Sequence, residues 1–126
     1  MPLVRIDVPE SVEPNVRTTI ADTVYETMVD VLNVPEHDRF QIITAHTAGN
    51  LLIDPTYLDI DRSAQAFIID ITLNAGRSVD LKKQFYAALA ERLKSFAQIR
   101  PEDVFVSLTE VAKENWSFGK GEAQYA

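Results

Sequence analysis

One order of elements occurs twice in this chain, about 65 residues apart: a strand-like run, an amphipathic run, a loop carrying Pro-Glu and then Asp, and a second strand-like run. The junctions match, with VPEHDRFQIIT from Val34 lining up with IRPEDVFVSLT from Ile99. Such a repeat restricts the fold more than any other feature, because one β-α-β unit cannot bury its apolar face alone. Two units can pair their strands into one sheet, each crossing over through its own helix. The expectation is an α+β fold: two tandem β-α-β units forming one mixed four-stranded sheet, with two helices on one face. Repeat one spans about 2–45, repeat two about 66–110, and a tail runs over 111–126. At 126 residues the whole chain, 1–126, reads as a single domain.

Local periodicity fills in the elements. Leu3 to Val8 alternates apolar and polar residues, as a strand does. Pro14 suits a first helical position, where a missing N–H costs nothing. From there Val16, Ile20, Val24, Met28, Val31 and Leu32 recur at helical spacing until Asn33. Phe40 to Thr44 is a second strand, and Ala66 to Leu73, apolar on both faces, is a central one. Ser78 caps a second helix with Leu81, Phe85, Leu89, Leu93 and Phe96 on its face. Val104 to Thr109 is the fourth strand. Asn50 to Asp54 reads as a short extra strand, and the glycines of the tail suggest a turn or hairpin.

Composition removes whole classes of function. Without cysteine there are no disulfides, thiolate metal sites or thiol nucleophiles. Twelve Lys and Arg against 19 Asp and Glu give a formal charge of −7, which disfavours nucleic acid and anionic membranes as partners. A small anionic substrate remains compatible, since a pocket can hold a local positive charge. The amino-terminal run lacks the pattern of a signal peptide, and no stretch of ~18 apolar residues occurs. The chain reads as cytoplasmic. His37 and His46 have no metal-ligand spacing, so no metal is expected, and phosphate-binding glycine loops and the Gly-x-Ser-x-Gly elbow are absent.

Five residues are candidates for chemistry. Removal of Met1 leaves Pro2 as a free secondary amine, which is a neutral base or a cationic acid according to its surroundings. An acylated proline nitrogen does neither job, and a proline at a chain start is most often inert. Asp38, with Arg39 beside it, follows the first helix; most charged loop residues only solvate. Arg77 lies where a buried strand turns into a helix, a favourable place for an anion, and a guanidinium holds a carboxylate bidentately. An exposed loop arginine is the competing reading. Trp116 and Phe118 either pack the tail down or wall a pocket.

Taken together, PLVRID at the start, VPEHDRFQIITAH at Val34–His46, DRSAQAFIIDITLNAGRS at Asp61–Ser78 and DVFVSLTEVAKENWSFGKGEAQY at Asp103–Tyr125 resemble the tautomerase superfamily, whose members carry an amino-terminal proline on a β-α-β frame. The resemblance covers almost the whole chain and is strongest to the malonate semialdehyde decarboxylase branch. It implies that Pro2 is the catalytic amine, Asp38 the loop aspartate, Arg77 the carboxylate-holding arginine, and Trp116 and Phe118 a hydrophobic wall. It also implies a homotrimer, and a small oxo-acid substrate handled without any cofactor. The second arginine of some decarboxylases falls on Ala75 here. The first helix lacks the histidine of the haloacrylate dehalogenases, and the chain lacks the Cys-x-x-Cys of the cytokine-like branch.

Three functions stay open at this point. Decarboxylation of a 3-oxo acid needs Pro2 protonated. Keto-enol tautomerisation, of the phenylpyruvate or oxalocrotonate type, needs it neutral. A trimeric binding module on the same frame needs no chemistry, since fold alone does not fix function.

Overall fold

A computed structural model describes residues 1–126. The first unit consists of β1 (Leu3–Pro9), α1 (Pro14–Leu32) and β2 (Phe40–His46). The second consists of β3 (Phe67–Asn74), α2 (Val79–Ala97) and β4 (Val104–Val111). The strand order is β2-β1-β3-β4; β1 pairs parallel with β2, β3 parallel with β4, and β1 antiparallel with β3. The sheet is therefore mixed, as expected from the sequence, and β3 is one of its two central strands.

Each helix begins and ends as its sequence directs. Pro14 occupies the first turn of α1, and the Ser78 side chain accepts the Leu81 N–H at the start of α2. Both helices stop at a left-handed residue, Asn33 at φ 58° and Gln98 at φ 55°, and the next amides, of Val34 and Ile99, close back on Met28 and Leu93. The two repeats thus share even their helix terminations.

Period-two alternation puts Val4, Ile6 and Val8 of β1 and Phe67, Ile69, Ile71 and Leu73 of β3 on one face of the sheet. Ile20, Val24, Met28 and Leu32 of α1 and Phe85, Leu89 and Leu93 of α2 cover that face, and together they form one core. Truncating a buried leucine such as Leu89 to alanine costs about 2–5 kcal/mol. Phe96 does not join this core: it lies in the last turn of α2 and is 57% exposed, because the helix outruns the layer that covers it.

The opposite face of the sheet has no helix. Phe40, Ile42 and Phe105 lie there at 47%, 42% and 48% exposure. His46 lies there too and pairs through Nε2 with Asp7 Oδ1 at 2.6 Å. The expected strand at Asn50–Asp54 does not form. Leu51, Leu52 and Ile53 look like a buried strand in sequence, but Leu52 is 84% exposed and the segment pairs with nothing. Side chains build this loop instead: Asp54 Oδ1 accepts the Thr56 and Tyr57 amides, and Arg62 donates to the carbonyls of Asp54, Tyr57 and Ile60. The tail forms the expected turn, closed by an isolated bridge between Gly119 and Glu122. No helix is long and apolar enough to cross a membrane.

Candidate active site

The start of β1, the start of β2, the end of β3 and the tail meet at one end of the sheet, and all five candidates lie there. Pro2 is buried immediately before β1. Asp38, two residues before β2, holds the amino-terminal ammonium in an ion pair, and its side chain is 13% exposed. It is not a solvated loop residue. Its neighbour Arg39 turns away to Asp22, Gln41 and the ring of Tyr25, and serves the surface of α1. The ammonium belongs to Met1, so the Pro2 nitrogen is an amide in this species.

Two influences favour the neutral form of that terminal amine and one opposes them. Burial penalises the charge first, and the Arg77 cation repels it second; together they bring the ammonium from 8.0 down to about 6. The Asp38 carboxylate in contact with it favours the cation. Because Arg77 acts on this nitrogen, the cation and the amine share one electrostatic site.

Arg77 sits in the turn after β3. Gly76 makes that turn possible: its φ of 127° is a region that side-chain-bearing residues avoid. Its N–H reaches Glu110 Oε2, which also holds the turn to β4, while Lys82 Nζ donates to Glu110 Oε1 at 2.6 Å. These two contacts, with Lys82 first, hold the Glu110 carboxyl below its usual range. The Arg77 guanidinium is half-buried, which lowers its pKa, and Glu110 partly restores it; an arginine stays a cation under such shifts.

Three of the five Arg77 N–H groups point into the protein. Nε and Nη2 donate to the Leu32 carbonyl at 3.1 and 2.9 Å, and Nη1 donates to the Asn74 carbonyl at 3.2 Å. Leu32 is the last residue of α1, a helix with no basic residue in its last turn. Arg77 therefore supplies from the other repeat the positive charge that this helix end favours. The remaining N–H groups, one on each Nη, are a fork suited to a carboxylate.

The tail closes the site with aromatic rings. Trp116 and Phe118 stack with centroids 5.6 Å apart, Phe118 meets Phe40 at 6.0 Å, and Tyr125 stands edge-on to Phe118 at 5.0 Å. Trp116, Ser117 and Phe118 join Pro2, Leu3 and Phe40 around a cavity of about 290 Å³. Trp116 both packs the tail and walls a pocket, so the two readings of that residue coincide. Sequence reasoning missed Phe40, which reads as an ordinary strand residue, and Asn74, whose role depends on contacts across the fold. The residues present form no cluster of metal ligands.

Comparison with known proteins places the chain in a family. The sequence model of a family described as tautomerase enzyme matches residues 38–119, and a second of the same description matches residues 2–59. The probable tautomerase YusQ of Bacillus subtilis is 37% identical over 83% of this chain and 83% of its own. The probable tautomerase YrdN of the same organism is 34% identical over 99% of this chain and 96% of its own. Among solved structures, the FG41 malonate semialdehyde decarboxylase inhibited by 3-bromopropiolate superposes with a TM-score of 0.91 at 39% identity, over 98% of this chain and 93% of that one. A duplicated β-α-β frame, a buried amino-terminal end held by a carboxylate, and likeness of this extent along nearly the whole chain lead to one family: the protein is a member of the tautomerase enzymes, with a malonate semialdehyde decarboxylase among its structural relatives.

Proposed function

We propose that the protein decarboxylates a small 3-oxo acid through Pro2, without a cofactor, once Met1 is removed. The observation that carries this reading is the contact of Asp38 with the amino terminus, because a carboxylate there favours a cationic amine beside a fixed guanidinium. Arg77 holds the substrate carboxylate with its free fork. The bond from the carboxylate carbon to C2 breaks, and its electron pair moves to C2–C3 and onto the C3 oxygen. Protonated Pro2 hydrogen-bonds that oxygen and stabilises the enolate. Carbon dioxide leaves, and C2 takes a proton from solvent. The aromatic wall lowers the local dielectric and strengthens both charge contacts.

The surroundings of the terminus, burial and the nearby Arg77 cation, disfavour a charged amine there and so favour a second reading, tautomerisation of a 2-oxo or enol acid with neutral Pro2 as the base. The two differ in the charge of one nitrogen. With intact mass confirming a free Pro2, a panel of 3-oxo acids, enol acids and phenylpyruvate is followed across pH. Decarboxylation falls as pH rises through the Pro2 pKa, whereas base catalysis rises. Pro2→Ala abolishes either activity; wild-type rates in that variant remove Pro2 from the chemistry.

The helix-free face of the sheet supports a homotrimer. Phe40, Ile42 and Phe105 are exposed on that face, and the exposed loop residues Leu52 and Tyr57 stand beside Phe105, apolar surface of the kind that marks an interface between subunits. Sedimentation equilibrium tests this, and a monomer at micromolar concentration overturns it.

A further inference from the structure

Asn74, the last residue of β3, is tied to both halves of the site. Its backbone carbonyl accepts Arg77 Nη1 at 3.2 Å, and its side-chain Oδ1 accepts Trp116 Nε1 at 2.7 Å. An indole N–H is a donor only, and a half-buried one needs an acceptor. The other hydrogen bonds of residues 112–126 are internal to that segment: Asn115 N to Ala112, Trp116 N to Lys113, Phe118 N to Gln124, Gln124 Nε2 to Gly119, Glu122 N to Gly119 and Ala126 N to Ala123. The Trp116–Asn74 bond is thus the one hydrogen bond that fastens residues 112–126 to the sheet. Beyond it, ring packing of Phe118 on Phe40 joins the aromatic wall to the sheet.

We propose that Asn74 is the positioning residue that sets the aromatic wall of the cavity relative to the Arg77 guanidinium beside it, so that one residue registers the apolar and the cationic elements of the candidate site. The inference rests on the reading of Arg77 as the carboxylate holder. A ring pair that drifts relative to the guanidinium still has both binding elements but no longer offers them to one small acid at once. Loss of Asn74 therefore acts on substrate binding more than on the chemical step.

Trp116 is the only tryptophan, so its emission reports the joint directly. Asn74→Leu is expected to shift that emission to the red and to raise acrylamide quenching. Asn74→Asp keeps an oxygen acceptor and is expected to retain the wild-type emission, with circular dichroism confirming that both variants are folded. On a substrate the wild type turns over, Asn74→Leu should raise KM about tenfold with a smaller change in kcat, the scale of one lost hydrogen bond. In a Trp116→Phe background, which lacks the indole N–H, Asn74→Leu should add nothing. Unchanged emission in Asn74→Leu, lost emission in Asn74→Asp, or additive KM effects in the double variant overturns the proposal. The emission arm needs no substrate: a wild type that turns over no oxo acid sinks the proposed function, while emission still decides the tie.

Discussion

Asp38 and Asp103 occupy the same place in the two repeats, each shortly before the second strand of its unit, and they have diverged. Asp103 is 4% exposed and accepts the Ser63 N–H at 2.7 Å and the Ser63 hydroxyl at 2.6 Å, pinning the chain where it approaches β3. Asp38 does the same for the chain approaching β1, where its partner is the Met1 ammonium. The cation differs too. In repeat one the position matching Arg77 is Val12, and the residue matching Leu32 is Ala97. Where the guanidinium reaches the carbonyl, valine stops short, and a cavity of about 310 Å³ lined by Val12 and Ala97 remains. Arg100 beside it is engaged by Glu102 and Asp103. One geometry thus yields a clasp on the chain at one end of the sheet and the candidate site at the other, according to the partner each aspartate meets and whether an arginine fills the turn.

The sharpest way to break this contrast is to remove each aspartate. Asp103→Ala should cost about 3 kcal/mol in urea unfolding, since it removes a buried carboxylate that accepts both the half-buried Ser63 amide and the Ser63 hydroxyl, and should leave turnover per folded molecule unchanged. Asp38→Asn should do the opposite, abolishing turnover with little loss of stability. Equal stability losses would erase the distinction between clasp and site.

Arg77→Ala comes next in size, because this residue serves both roles. It should lose activity and also about 1–3 kcal/mol, as the end of α1 loses its cation and the Leu32 carbonyl its donors. Arg77→Lys keeps the charge and loses the fork, so it should recover stability before it recovers KM. A fully stable but inactive Arg77→Ala would mean that the tie to Leu32 is incidental.

A smaller effect follows from the amino terminus. In chains that retain Met1, the ammonium pKa is about 6 when folded and 8.0 as a reference, so the unfolded state binds more protons between those values. Stability should therefore rise with pH across that window, and below about pH 6 the full penalty applies. Urea midpoints at pH 5.5 and 8.5, compared with those of chains whose terminus is acetylated, isolate this contribution from the histidines. An identical pH dependence in the blocked chains would remove it.

The fold was legible because its drivers are local and periodic. The α1 stripe from Val16 to Leu32 and the apolar run of β3 each need only their own segment to be read. Asn50–Asp54 misled because Leu51, Leu52 and Ile53 have strand-like residue types, while a strand also requires an edge to pair with, and Asp54 and Arg62 satisfy the backbone another way. At the site, residue types drew attention to Pro2, Asp38, Arg77, Trp116 and Phe118. What no local pattern carries is partnership across the fold: the reach of Arg77 to Leu32, the bond of Trp116 to Asn74, and the meeting of Phe40 with Phe118.

The anchoring of Arg77 has one more consequence. The residue is encoded in the second repeat but immobilised by the helix of the first, so neither half alone can present an oriented guanidinium. Severing the chain within segment 47–63 would give two fragments that hold this guanidinium against the Leu32 carbonyl only by recombining, and a nascent chain makes that tie only after the end of its third strand has been synthesised. The seam between the duplicated units is in this way what orients the one arginine of the candidate site.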